Sequence, residues 1–397
     1  SVCLLSVLLM WMGACQMEEK RPKEVSKELL SNRLDILLEK SLQTYEQYPP
    51  SPQHIYRSRP GFWNLRKVEP SDWCSGFYAG ILWKLHEYSQ EESLKIAAKA
   101  YTQFLVGEAK KTDSHDIGFK IYSSYGNGYE QTGEESYKKI LLQAVKSLSS
   151  RFQPKVRAIK SWDWNPGHYQ VPVIIDNLMN LELLFEASRI SGDSSYHKLA
   201  RTHALTSLKH HFRPDFSSYH LVNFDSITGE SLGKETNQGA ADESAWARGQ
   251  AWALYGMTMA FRYTQDTQFL SQAEGIANFF FSHPQLPKDF IPYWDFDAKE
   301  IPETTRDVSA ACIAAAALLE LATYSNQKDQ YIYWADQVLL SLESSEYQAD
   351  RLPFFLDHST GNMPIGDEVN VPIVYADYYY VEALMRRLNS LTQASPS

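Results

Sequence analysis

Cysteine is scarce: only four occur in 397 residues, and two of them, Cys3 and Cys15, fall in the first fifteen positions. The remaining pair, Cys74 and Cys312, cannot build a disulfide framework, and their flanks, Trp-Cys-Ser-Gly and Ala-Cys-Ile-Ala, have no metal-ligand spacing. Both are expected as buried free thiols. Runs of Lys or Arg are missing too, and 38 basic against 48 acidic side chains give a formal charge of −10. That balance argues against a nucleic-acid partner, which needs a basic footprint. It argues as well against a track for a long acidic polysaccharide, though not against a pocket where one Arg holds one acidic sugar. No phosphate loop and no His-Glu-x-x-His occurs, so neither a metal nor another cofactor is expected, and serine-nucleophile chemistry lacks support.

Long apolar runs are also few. Val2 to Met12 is too short for a typical membrane span and reads as the core of a signal peptide. Small residues directly before Cys15, in Met12-Gly13-Ala14-Cys15, resemble a bacterial lipobox, which would make Cys15 a lipid-modified first residue of an exported protein. On this reading, residues 1–15 are a signal, 16–25 a polar tether and 26–397 one domain, with the lipid as its sole membrane attachment.

What is abundant is helical periodicity. Leu29, Leu30, Leu34, Leu37, Leu38 and Leu42 mark one helix over 26–45, whereas the Pro- and Ser-rich stretch 48–72 reads as a loop. From about residue 75 a pattern recurs in which a helix ends in an aromatic, a polar turn follows, and an aromatic or Leu opens the next helix. It runs at Tyr88–Leu94, Tyr129–Tyr137, Ser191–Tyr196, Tyr263–Phe269 and Tyr324–Tyr331. Helical hairpins of this kind bury their apolar faces against neighbours and stack. Val308–Leu321 and Trp252–Phe261 are apolar nearly all round, as the inner helices of a double layer must be. A closed all-α ring of about six hairpins, an (α/α)6 barrel, fits this pattern; an open helical solenoid is the alternative. A short hairpin is plausible near Tyr219–Thr228.

Five segments with reactive residues fall at the starts of the expected inner helices. They are Ser71–Gly80, His115–Phe119, Trp162–Asn165 leading to Val173–Leu181, Gln238–Trp252 and Tyr375–Tyr380. Asp176 and Asp116 each precede a helix, and either could simply be a cap. A helix N-terminus favours the carboxylate, so an acid role would need burial or a second carboxylate nearby. Trp246 and Arg248 could both serve a site only if Trp246 lies at the very start of its helix. A structural Arg248 paired with Asp242 or Glu243 is the bland alternative. His115 and His220 could be pocket donors, although a lone His near a loop is more often neither ligand nor donor.

Taken together, His115-Asp-Ile-Gly-Phe119, Ile175-Asp-Asn-Leu-Met-Asn180 and Ala245-Trp-Ala-Arg-Gly-Gln-Ala-Trp252 resemble glycoside hydrolase family 88, the unsaturated glucuronyl hydrolases. The resemblance spans about Trp73 to Met385. It implies an (α/α)6 barrel with a cofactor-free pocket for the Δ4,5-unsaturated uronic acid of lyase-generated glycosaminoglycan oligosaccharides. It also implies hydration of the vinyl ether, with Asp176 as proton donor and Asp116 as the second aspartate. Trp73, Trp162, His220, Gln238, Trp246, Arg248, Trp252 and Tyr375 match residues that contact the sugar, with Trp162 and Trp164 both placed for one of these positions. The similar family 105, acting on unsaturated rhamnogalacturonides, and a glycan-binding lipoprotein without activity stand as alternatives.

Overall fold

The computed structural model describes residues 24–61 and 63–393. The signal, the lipobox with Cys15 and most of the tether lie outside the described residues. Helix α1 (Lys27–Gln47) starts where Ser26 accepts the Leu29 N–H, and it buries Leu30, Leu34 and Leu37 on one stripe. The helices that follow alternate between two layers. Helix α2 (Ser75–Ser89) turns into α3 (Glu92–Phe104). A π-helical stretch, Gly118–Gly126, runs on into α4 (Asn127–Thr132), which turns into α5 (Glu135–Ser149). Then come α6 (Asn177–Ser191) and α7 (Ser194–His210), α8 (Ala247–Thr264) and α9 (Thr267–Ser282), α10 (Val308–Leu321) and α11 (Lys328–Leu342), and finally α12 (Val374–Gln393).

Contacts close the first member of each pair into a ring: α2, the π-helix with α4, α6, α8, α10, α12 and back to α2. The outer helices α3, α5, α7, α9 and α11 each pack on their own inner partner, and α1 covers α12, so the first helix completes the last hairpin. This is an (α/α)6 barrel, and the solenoid alternative falls because α12 meets α2. Helix α10 is buried along nearly its whole length, as a helix covered on two faces must be.

The five recurrent turns are the five inner-to-outer connections. Four of them switch direction through a left-handed residue, Gln90, Gly133, Gly192 or Gln265. Asp193 and Asp266 then cap the next helix. Because the short turns all sit at one end, every inner helix begins at the other, where the long connections lie. Ion pairs fill the turn end of the axis: Lys84–Glu382 at 3.0 Å, Arg262–Glu182 at 2.6 Å and Arg386–Glu320 at 3.1 Å.

The long connections carry the β-structure, including the two-residue antiparallel pair β3 (Phe152–Gln153) and β4 (Ala158–Ile159). Residues 48–72 are more ordered than a loop: β1 (Ile55–Gly61) and β2 (Asn64–Val68) form an antiparallel hairpin. Alternation is weak there because Pro60 and a register shift interrupt it, and Arg57, bonded to Asp72 and Glu368, ties the hairpin down over a long range. The hairpin expected near Tyr219–Thr228 exists as β6 (Leu221–Phe224) and β7 (Ser231–Glu235). It is extended by β5 (Val171–Ile174) into a three-stranded sheet. Cys74 and Cys312 are buried free thiols.

Candidate active site

Strand β5 delivers the chain to Asp176. The Ile175 N–H donates to the His220 carbonyl at 2.9 Å, which clamps the end of β5 to β6, and α6 starts two residues later. Asp176 occupies the cap position but does not cap: its backbone is already helical, and its side chain accepts no N–H from the helix. The carboxyl is buried, and its Oδ2 has no hydrogen-bond partner within the protein. Burial pushes this group up to about 7; the Arg248 charge pulls it down, while the Asp116 charge pushes it further up. A carboxylic acid is thus retained at neutral pH despite the helix N-terminus. His220 Nε2 lies 3.8 Å from Asp176 Oδ2. His220 Nδ1 accepts the Asn237 N–H at 3.0 Å, so the ring proton sits on Nε2, facing Asp176. Burial, with Arg248 nearby, pushes His220 down to about 3, and the ring is neutral.

Asp116 stands at the start of the neighbouring inner helix, half-buried. It does not cap either. Its Oδ2 accepts the Ser114 hydroxyl at 2.6 Å, and His115 Nε2 lies 3.3 Å from Oδ1. Ser114 also bridges to Trp162, and the His115 N–H donates to Ser161, so the Trp162 segment runs beside Asp116. The Trp162 indole N–H is buried without a partner, and Trp164, about half exposed, stacks on its outer side at 4.9 Å. Trp162 is therefore the inner ring of the two.

The other aromatic residues join these elements. Trp73 packs on Phe119 and lies 5.0 Å from Tyr375, and Trp252 packs on Phe119 at 5.2 Å. Trp246 is the extended residue immediately before α8, as the pairing with Arg248 requires, and it lies 4.9 Å from the His220 ring. The Arg248 guanidinium stacks on Trp246 at 4.6 Å and on Tyr375 at 5.3 Å. Its structural partner is neither Asp242 nor Glu243. Asp242 accepts the Thr236 N–H, and Glu243 reaches out to Arg213. Arg248 pairs instead with buried Asp307 at 2.9 Å and donates to the Thr360 and Gly361 carbonyls. Gln238 reaches the same Gly361 carbonyl at 3.4 Å. Beyond Gln238, a groove of about 580 Å³ opens between Gly239, Trp294 and Met363.

Buried polar atoms of this region without a hydrogen-bond partner within the protein include Asp176 Oδ2, His220 Nε2, Trp252 Nε1 and Trp162 Nε1, with Asn177 Oδ1 and Asn237 Nδ2 beside them. Such atoms are uncommon in folded proteins, and an acceptor grouped with three donors has the makings of a site for a polyhydroxylated ligand. Sequence reasoning missed Asp307 and Ser114. Asp307 caps α10 with one oxygen, which accepts the Ser309 N–H, while its second oxygen holds Arg248. Gly229-Glu230-Ser231-Leu232-Gly233 has the Gly-x-Ser-x-Gly spacing of a serine nucleophile, against the expectation that such chemistry lacks support in the sequence. It runs from the end of the β6–β7 turn into β7, with Ser231 exposed as the first residue of the strand, and is not the strand-to-helix elbow that activates a serine.

A family model described as Glycosyl Hydrolase Family 88 matches residues 53–278. The chain is 44% identical over 382 residues to an unsaturated glucuronyl hydrolase of Formosa agariphila, with 94% of both chains covered. It is 34% identical over 331 residues to an unsaturated chondroitin disaccharide hydrolase of Streptococcus pneumoniae, covering 80% of this chain and 82% of that protein. Among solved structures it is similar to an unsaturated glucuronyl hydrolase specific for heparin. There the TM-score is 0.89 and the identity 41%, over 92% of this chain and 99% of the other.

Proposed function

This chain belongs to Glycosyl Hydrolase Family 88, and from that premise we propose that it removes a Δ4,5-unsaturated uronic acid from the non-reducing end of lyase-generated glycosaminoglycan oligosaccharides. Asp176 donates its proton to C4 of the vinyl ether, and positive charge develops at C5 and the ring oxygen. The Asp116 carboxylate stabilises that charge. Water adds at C5 and returns a proton to Asp176, so the net change is the addition of one water molecule. The C5 hemiketal opens, and C1 releases the partner sugar. Trp73, Trp162, Trp246, Trp252 and Tyr375 supply ring-sized apolar faces. His220, Gln238 and Arg248 supply polar contacts, and the groove beyond Gln238 offers room for the partner sugar. The usual spacing rule for paired carboxylates does not govern this chemistry, because the anomeric carbon is not attacked.

One observation carries the reading: a buried carboxyl, one oxygen free of partners within the protein and held near half-protonation at neutral pH, with a second aspartate close enough to push on it. Incubation with a panel of lyase-generated disaccharides, sulfated and not, tests it by following loss of the unsaturated-uronate absorbance. Loss with at least one glycosaminoglycan disaccharide is expected. No loss on any of them, with loss on pectin-derived rhamnogalacturonide, would overturn the substrate assignment. From the sequence we also propose that Cys15 carries a lipid and tethers an exported enzyme to a bacterial membrane. A fatty-acid label should enter the wild type and not Cys15→Ala.

A further inference from the structure

The motif Ile175–Asn180 contains a residue that the proposed chemistry does not use. Asn180 lies one helical turn beyond Asp176, fully buried on α6, and reaches across to the segment that holds Asp116. Its Oδ1 accepts the Phe119 N–H at 2.8 Å, which fixes the orientation of the amide. Its Nδ2 must then point the other way, and it lies 3.4 Å from His115 Nδ1. An amide N–H can only donate, so His115 Nδ1 must be the unprotonated nitrogen. The ring proton is left on Nε2, which lies 3.3 Å from Asp116 Oδ1. Asn177 also lies against His115, but its Nδ2 donates to the Ile159 carbonyl at 2.7 Å, so it offers the ring only its buried Oδ1, an acceptor that competes for the ring proton. The fit is tight: a Cβ at Gly118 would lie 2.6 Å from Asn180 Oδ1.

We propose that Asn180 is a positioning residue that selects the Nε2–H tautomer of His115, so that the protonated ring nitrogen faces Asp116 Oδ1 while the Ser114 hydroxyl holds Oδ2. The two aspartates are thereby coupled through one side chain. The helix that presents Asp176 sets, through Asn180, whether His115 turns a proton toward Asp116. The consequence for turnover rests on the reading of Asp116 given above; the tautomer does not.

The test has two arms. Nitrogen-15 NMR of the ring of His115 in the wild type at neutral pH should show protonated Nε2 and unprotonated, hydrogen-bonded Nδ1. Asn180→Asp is isosteric and still accepts the Phe119 N–H, but it replaces the donor with an acceptor. In that variant His115 Nδ1 should become protonated, and kcat should fall about tenfold or more with KM changed less than about threefold. A wild-type His115 protonated on Nδ1 would overturn the proposal without any variant, even if Asn180→Asp failed to fold. An Asn180→Asp enzyme with unprotonated Nδ1 would overturn it too, and protonated Nδ1 with unchanged kcat would overturn its consequence for turnover. The tautomer is read without substrate, so this result and the failure of the substrate assignment are distinguishable.

Discussion

Replacing Asp176 with Asn should stabilise the fold while abolishing turnover. In the native protein the Asp176 carboxyl titrates at about 7, raised chiefly by burial. In the unfolded chain it titrates near 3.9. The folded state therefore binds more protons than the unfolded one between about pH 4 and 7, and stability falls as pH rises through that window. Above about 7 the full penalty applies. At about 1.4 kcal/mol per tenfold, it amounts to an upper limit of ~4 kcal/mol. Asparagine keeps the shape and removes the titration. Some of the gain is forfeited because Arg248 loses a nearby negative charge, although it keeps Asp307. At about 2.1 cal/mol/K of unfolding entropy per residue, a gain of ~1–4 kcal/mol raises Tm by roughly 1–5 °C. The assay is a pair of thermal melts of wild type and Asp176→Asn, at pH 5 and pH 8. The difference in Tm should be larger at pH 8. A variant that melts no higher than wild type at pH 8, or whose gain is the same at both pH values, would refute the claim that burial strains this carboxyl.

Three further outcomes follow from the same geometry. Because the acid form does the work, kcat/KM on an unsaturated disaccharide should fall as pH rises through about 7, approaching tenfold per pH unit above it. Trp162→Phe keeps a flat ring and deletes the unpartnered indole N–H, so KM should rise about fivefold, by ~1 kcal/mol of one lost hydrogen bond. Trp164→Phe, on the outer side of the stack, should leave KM within about twofold, and equal effects of the two would contradict the placement. Asp307→Ala strands the buried Arg248 charge and should cost about 3–5 kcal/mol in denaturant unfolding, whereas a loss under ~1 kcal/mol would mean that the pair is dispensable.

The barrel was legible because its signals are local. Aromatic-to-aromatic turns such as Tyr263–Phe269 announce the hairpins, and all-round apolar runs such as Val308–Leu321 announce the inner layer. Inner-helix starts then gather Asp116, Asp176 and Trp246 by geometry alone. What could not be read depends on partners far along the chain. The β1–β2 hairpin was hidden because Arg57 finds Glu368 across most of the sequence. The partner of Arg248 was sought nearby, at Asp242 or Glu243, and lies at Asp307. Capping was a fair expectation for Asp176, since an Asp before a helix usually caps. It fails because the residue is already helical and its side chain makes no capping hydrogen bond.

The central claim is that Asp176 hands its proton to C4 of the unsaturated ring. The direct measurement is the first-turnover product formed in heavy water, analysed by NMR and mass spectrometry for wild type and for Asp176→Asn. The wild type should place one deuterium at C4, on a single face, as the double bond disappears, and the variant should bind the disaccharide and leave it intact. Release of the partner sugar with the double bond preserved, or turnover by Asp176→Asn at the wild-type rate, would contradict it.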